Sequence, residues 1–202
     1  MIRSDVQLML DVKEGHDASF DLLLQRYRTP LVNFLYRMVR DVATAEDLAQ
    51  EVFLRVYRAR KQYSPTAKFT TWLFRIATNL ALNSVRDNRH RMMEVSIDAP
   101  AGEDQAPMEL PTREMRIDEH MAERDRAGFI RRAVASLPEK QRVAVLLHKY
   151  EEMDYGEIAK VLDCSESALK SLLFRAYETL RVQLAPLVSQ SATQRAGEGR
   201  PL

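Results

Sequence analysis

The sequence predicts an all-α chain: two small helical domains joined by an acidic, flexible linker. Three observations lead there. Glycine is scarce, with six in 202 residues, and no stretch shows the two-residue alternation of a half-buried strand. Apolar residues recur instead at three- and four-residue steps. Charge is segregated under a net value of only +1. Residues 53–93 carry nine Lys/Arg against one Asp/Glu, whereas residues 94–125 carry three against ten. Blocks of this size mark modules with different partners.

The first helix is predicted over Ser4 to Lys13, capped by Ser4 and stopped near Gly15. Asp17 is the expected N-cap of a longer helix ending near Arg40 and Asp41. Phe20, Leu23, Leu24, Tyr27, Leu31, Leu35 and Met38 line its inner face, and Pro30 is a possible kink. Thr44 is the expected cap of the next helix. Its buried stripe is Ala45, Leu48, Ala49, Val52, Phe53 and Val56, with Glu46, Asp47, Gln50 and Glu51 facing outward. The same helix turns basic at Arg55, Arg58, Arg60 and Lys61, an order that also suits the helix dipole.

A loop, Tyr63–Ala67 with Pro65, precedes the stretch from Lys68 to Arg91, which holds the chain's single tryptophan. Phe69, Trp72, Leu73, Ile76 and Leu80 recur at helical spacing among Lys68, Arg75, Arg86, Arg89 and Arg91. Aromatics interleaved with cations can stack unpaired bases while the cations hold phosphates, an arrangement worth about 1–3 kcal/mol per base. A core helix with a solvated basic back has the same pattern.

Periodicity fails from Met92 to about Pro111, where Pro100, Gly102, Pro107 and Pro111 fall among acidic residues. Such a linker leaves the orientation of the two domains unconstrained. Helix resumes near Thr112 and runs to about Ala135. Another begins at Leu137–Glu139, with Ser136 or Leu137 near the cap, Pro138 in the first turn, and Val143, Leu146 and Leu147 inward. A short helix opens at Asp154 and ends at Leu162. A tight turn, Asp163–Cys164–Ser165, leads to a final helix over Glu166–Arg181, with Leu169, Leu172 or Leu173, Ala176 and Leu180 inward. Short helix, turn and longer helix is the helix-turn-helix pattern. Residues after Pro186 are expected to form a frayed tail.

The one cysteine, Cys164, excludes an internal disulfide framework or a multi-cysteine metal site. It reads as a small buried residue. His16, His90, His120 and His148 are scattered, so no cofactor, metal or catalytic cluster is expected, and the chain is not expected to be an enzyme or to bind a small-molecule substrate. Neither a signal peptide nor a membrane span is apparent, which points to a cytoplasmic protein without membrane insertion.

Three motifs in order resemble bacterial RNA polymerase sigma factors of the extracytoplasmic-function branch of the sigma-70 family. They are Ala45–Phe53; Phe69–Asn79; and Leu137–Arg142 followed by Tyr155–Ala159 and Lys170–Ala176. The resemblance covers about residues 5–184. It implies a region 2 domain over 1–92, a linker over 93–112, a region 4 helix-turn-helix domain over 113–185 and a tail over 186–202. It further implies docking on core RNA polymerase through Asp47, Leu48, Gln50, Glu51 and Phe53, with Leu48 and Phe53 serving as anchorage or core. Recognition and melting of a minus-ten element fall to Lys61, Tyr63, Lys68, Phe69, Trp72, Arg75, Asn79, Asn83 and Arg86, and the family captures a flipped base at the Tyr63–Ala67 loop and Asn79. Ser165, Ser167, Lys170, Ser171, Phe174 and Arg175 are implied to contact a minus-thirty-five element. The recognition helix departs from the family: Ser167-Ala168-Leu169 replaces Gly-Thr-Val, and two commonly basic positions are Leu172 and Tyr177. The partners implied are core polymerase, promoter DNA as duplex and melted strand, and an anti-sigma factor. Two other readings fit parts of the chain: a stand-alone helix-turn-helix regulator, and a sigma-like decoy that sequesters an anti-sigma factor. The first has no use for the basic-aromatic helix, and the +8 block argues against the second.

Overall fold

The computed structural model describes residues 3–95 and 117–197, and every regular element among them is helical. Helix α1, Asp5–Lys13, is capped as the sequence predicts: the Ser4 hydroxyl accepts from the Gln7 N–H at 3.2 Å. Gly15, at φ 99°, reverses the chain in a backbone region that costs glycine nothing. Helix α2, Asp17–Val39, begins at the residue expected to cap it; His16 holds the cap position and makes no side-chain cap bond. It runs unbroken through Pro30 and ends on left-handed Arg40. Leu23, Leu31, Leu35 and Met38 are buried along it, together with Phe34, which the predicted face omitted.

Helix α3, Val42–Arg58, starts earlier than predicted, because Asp41 rather than Thr44 is the cap: the Asp41 carboxylate accepts from the Thr44 N–H at 2.7 Å. A carboxylate at a helix N-terminus also meets the positive end of the dipole. A short 3-10 turn, Arg60–Gln62, leads to the loop before α4, Phe69–Val95. Helices α1 to α4 share one core, closed by edge contacts such as Phe34–Phe74, whose ring centroids lie 5.3 Å apart. Two ties from α1 fix the surroundings of the loop. Asp5 accepts from Arg26 and Tyr27, and Lys13 Nζ donates to the Tyr63 carbonyl at 2.8 Å.

The second module comprises α5 (Ile117–Ala135), α6 (Glu139–Tyr150), α7 (Tyr155–Leu162) and α8 (Glu166–Gly197). Pro138 is the N-cap of α6 rather than part of its first turn, with ψ 143°. Six consecutive residues of α6, Arg142–Leu147, are buried, so it is the module's central helix. Helix α7 opens with a reciprocal capping box: the Glu157 N–H donates to Asp154 Oδ1 at 2.8 Å and the Asp154 N–H to Glu157 Oε2 at 3.1 Å. Asp163, left-handed at φ 51°, turns the chain into α8, where Leu169, Leu173, Ala176 and Leu180 face inward. Cys164 is half-buried and free. Helix α8 continues past Pro186 to Gly197, where the sequence predicts a frayed tail. The predicted linker lies, from residue 96 onward, outside the described residues, as does the stretch from Thr112 to the start of α5.

The two modules pack on each other, which the sequence does not predict. Helix α7 lies along α4, and α6 meets α2. Arg142 Nη1 donates to the Met38 carbonyl at 3.1 Å in a buried setting, the Arg37 guanidinium sits 4.0 Å over the Tyr150 ring, and Arg89 pairs with Glu139 at 3.8 Å.

Candidate nucleic-acid interface

Three surfaces carry the predicted site residues. The first is the outer face of α3. Asp47 and Gln50 are exposed, Leu48 is half-buried and packed on the core, and Glu51 is held by Arg55 one turn on at 2.7 Å. Phe53 does not belong to this surface. It is 6 % exposed and packs edge-on against Phe20, so it is a core residue, the second of the two roles the resemblance allowed.

The second surface is one side of α4. At 100° per residue, Lys68, Trp72, Arg75, Asn79, Asn83 and Arg86 fall within one narrow stripe. Trp72 is half-buried and the other five are exposed. Among the described residues no carboxylate pairs with Arg75 or Arg86. Phe69 is on the other side of the helix, 1 % exposed and in ring contact with Tyr27 and Trp72, so it cannot stack a base; it props Trp72 from behind. Tyr63 is likewise buried, with its ring centroid 5.1 Å from that of Trp72. Lys61 is exposed on the 3-10 turn.

Beside the stripe lies a cleft of about 460 Å³, lined by Tyr63, Ser64, Thr66, Ala67, Thr71, Trp72 and Arg75, and by Lys160 from the second module. Its floor is aromatic and its rim polar and cationic, which suits a planar base carrying a phosphate. Lys160 and Thr71 were not legible as site residues. Lys160 lies far along the chain in another module, and Thr71 reads as a gap in the apolar stripe. Lys68 is already engaged: its Nζ is 3.0 Å from Glu157 Oε1 and 3.9 Å from Asp154 Oδ2. The hydrogen bond that Lys68 donates to Glu157, and the charge of that carboxylate, hold the Lys68 pKa above its ordinary value.

The third surface is the start of α8. Ser165 caps the helix, its hydroxyl accepting from the Ala168 N–H at 3.2 Å. Ser167, Lys170, Ser171, Phe174 and Arg175 line an open concavity, in which Phe174 is 67 % exposed. The Ser171 hydroxyl donates to the Ser167 carbonyl and Arg175 Nε to the Ser171 carbonyl, which leaves the guanidinium tip of Arg175 projecting. The two unusual positions have structural work. Leu172 packs against the core, and the Tyr177 hydroxyl meets His148 Nδ1 at 2.9 Å.

Two helical modules, one with a basic-aromatic helix beside a cleft and the other with a helix-turn-helix, define a protein that handles duplex and opened nucleic acid. Comparison with known proteins makes this specific. Family models for sigma-70 region 2 and sigma-70 region 4 match residues 23–91 and 130–180. The RNA polymerase sigma-H factor of Pseudomonas aeruginosa is 33% identical over 193 residues, covering 93% of this chain and 97% of that protein. The sigma-E factor of Escherichia coli K12, an extracytoplasmic-function sigma factor, is 29% identical over 185 residues, covering 92% and 96%. Among solved structures, CnrH in complex with the cytosolic domain of CnrY aligns at TM-score 0.67 with 20% identity, over 91% of this chain and 99% of that one. The sigma factor RpoE in complex with the anti-sigma factor NepR from Bartonella quintana aligns at 0.63 with 21% identity, over 82% and 96%. The chain belongs to the sigma-70 family, in its extracytoplasmic-function branch: it is a sigma factor, which binds core RNA polymerase and directs promoter-specific initiation.

Proposed function

We propose that the three surfaces divide the work of initiation, with no catalysis by the chain itself. The outer face of α3, centred on Asp47, Gln50 and Glu51, docks on a basic surface of core polymerase. The cleft and the stripe on α4 take the melted strand of the minus-ten element, with Asn79 reading a base edge and Arg75 and Arg86 holding phosphates. The open face of α8 reads the upstream element through Lys170, Ser171, Phe174 and Arg175. The observation that carries this reading is the alignment of Lys68, Trp72, Arg75, Asn79, Asn83 and Arg86 in one stripe beside an aromatic-floored cleft.

Transcription with purified core polymerase on a library of promoter fragments tests it. Initiation at a shared two-part motif, only when the chain is added, is the expected result; no stimulation on any fragment would sink the reading. Such a protein works where polymerase is, in the cytoplasm, and among the described residues no helix is long and apolar enough to cross a membrane. An anti-sigma factor is the proposed regulator, since two solved structures of similar fold are complexes, one of them with a named anti-sigma factor. Co-purification from the native host tests it: a chain always recovered free and active would argue against a regulator.

A further inference from the structure

The line of side chains that forms the recognition face of α8 continues past that face. At 100° per residue, Lys170, Phe174 and Tyr177 fall in one narrow stripe. Lys170 and Phe174 line the open concavity. Tyr177 is half-buried, and its hydroxyl is hydrogen-bonded to His148 Nδ1 of α6 at 2.9 Å. The His148 ring in turn packs on Tyr155, the first residue of α7, with centroids 5.3 Å apart. Burial, and then the neighbouring Tyr155, hold the Tyr177 phenol above its ordinary value, so it stays a neutral hydroxyl. Residues of α6 and α7 thus fix the Tyr177 ring, and what it presents outward is its face. Lys149, the next residue of α6, is exposed and sets its Nζ over that face, 5.9 Å from the centroid. Among the described residues no carboxylate pairs with Lys149, whereas Arg181, the next cation along the α8 stripe, is paired with Glu178 at 2.9 Å.

We infer that Lys149 of α6, braced on the Tyr177 ring, holds a backbone phosphate of the upstream duplex at the mouth of the groove that α8 enters. The inference rests on the function proposed for α8. Distance decides between base and phosphate. In a helix-turn-helix the N-terminal residues of the recognition helix reach the base edges. Tyr177 is seven residues behind Lys170, about 10 Å back along the helix axis. The major groove is about 8.5 Å deep, so a cation held there lies outside it, among phosphates. Bracing also favours binding: a lysine stem already held against a ring has less freedom left to lose when its ammonium meets a phosphate. Lys149 therefore adds affinity and register for every upstream sequence and reads none, while Tyr177 is a positioning residue that acts through it.

The test uses holoenzyme, the full chain with core polymerase, on promoters that it initiates from and that differ only in the upstream element. Affinity is titrated against salt. Lys149→Ala is expected to reduce the slope of log affinity against log salt by about one, and by the same amount on every upstream element. Lys149→Arg should keep the slope. Lys140→Ala, an exposed lysine at the other end of α6, is the control and should leave it unchanged. Tyr177→Leu fills the half-buried site but removes the ring face; it should weaken the parent and leave Lys149→Ala no weaker. A parental slope in Lys149→Ala would overturn the inference. So would an equal drop in Lys140→Ala, a loss confined to one upstream sequence, or losses from Tyr177→Leu and Lys149→Ala that simply add. Absence of initiation by the parent would strike the proposed function, and the inference with it; a parental slope on promoters that do initiate would strike the inference alone.

Discussion

At the scale of single residues, Asn79 carries the sharpest expectation. It is exposed on the α4 stripe, between Arg75 and Asn83. Asn79→Ala should lower open-complex formation by about 1–3 kcal/mol on promoters with the preferred base, and little on others. Equal loss on every minus-ten variant would move base capture to the Tyr63–Ala67 loop. Arg75→Ala and Arg86→Ala should weaken all promoters alike and each reduce the salt slope by about one counterion, as a titration of binding against salt would show. Glu151 makes a different prediction. Burial pushes its carboxyl up to about 7 from an ordinary 4.5, with Arg37 opposing the shift. Between these values the folded chain keeps a proton that the unfolded chain has released, so stability falls as pH rises through this window. Thermal melts from pH 4 to 8 should show Glu151→Gln flattening that decline. An unchanged pH profile would show that the residue is ionised in the fold.

At the scale of elements, α3 separates its two faces cleanly, and substitution can address them one at a time. Reversing Asp47 and Glu51 to Lys should abolish capture by core polymerase and leave helicity intact. The Glu51–Arg55 pair is exposed, so its loss should cost under about 1 kcal/mol. A pull-down at parental affinity would refute the docking assignment. What was legible in the sequence follows from the range of the forces involved. The Ser4 cap, the inward faces of α2 and α8 and the turn at Asp163 depend on neighbours within a few residues, and their spacing shows it. The cap of α3 was misplaced because Asp41 and Thr44 are both good cap residues, and the structure uses both in one bond, Asp41 as acceptor and the Thr44 N–H as donor. Phe69 sits among cations and so reads as a stacking platform, and Tyr63 enters the site only through the resemblance; the packing of Tyr27 and Trp72 around them shows that they are walls. The contribution of Lys160 to the cleft has no local signature at all.

At the scale of the molecule, the two modules pack on each other through α4 with α7 and α2 with α6, in one fixed arrangement, and two promoter elements can be engaged together only where a scaffold sets that spacing. Tight, sequence-specific promoter binding by the free chain is therefore not expected, and gel-shift affinity comparable to that of the holoenzyme would contradict it. The tryptophan in the cleft gives this a practical outcome. Trp72 is the chain's sole indole, half-buried against Tyr63, with Lys160 of the other module lining the same space. Excited beyond the absorption band of the chain's seven tyrosines, its emission is thus a built-in optical reporter of the free chain. Withdrawal of the second module should expose it to a dissolved quencher, and a base stacking on its ring should darken it. A single unlabelled sample of the free chain could then be followed in time as a single-stranded oligonucleotide is added.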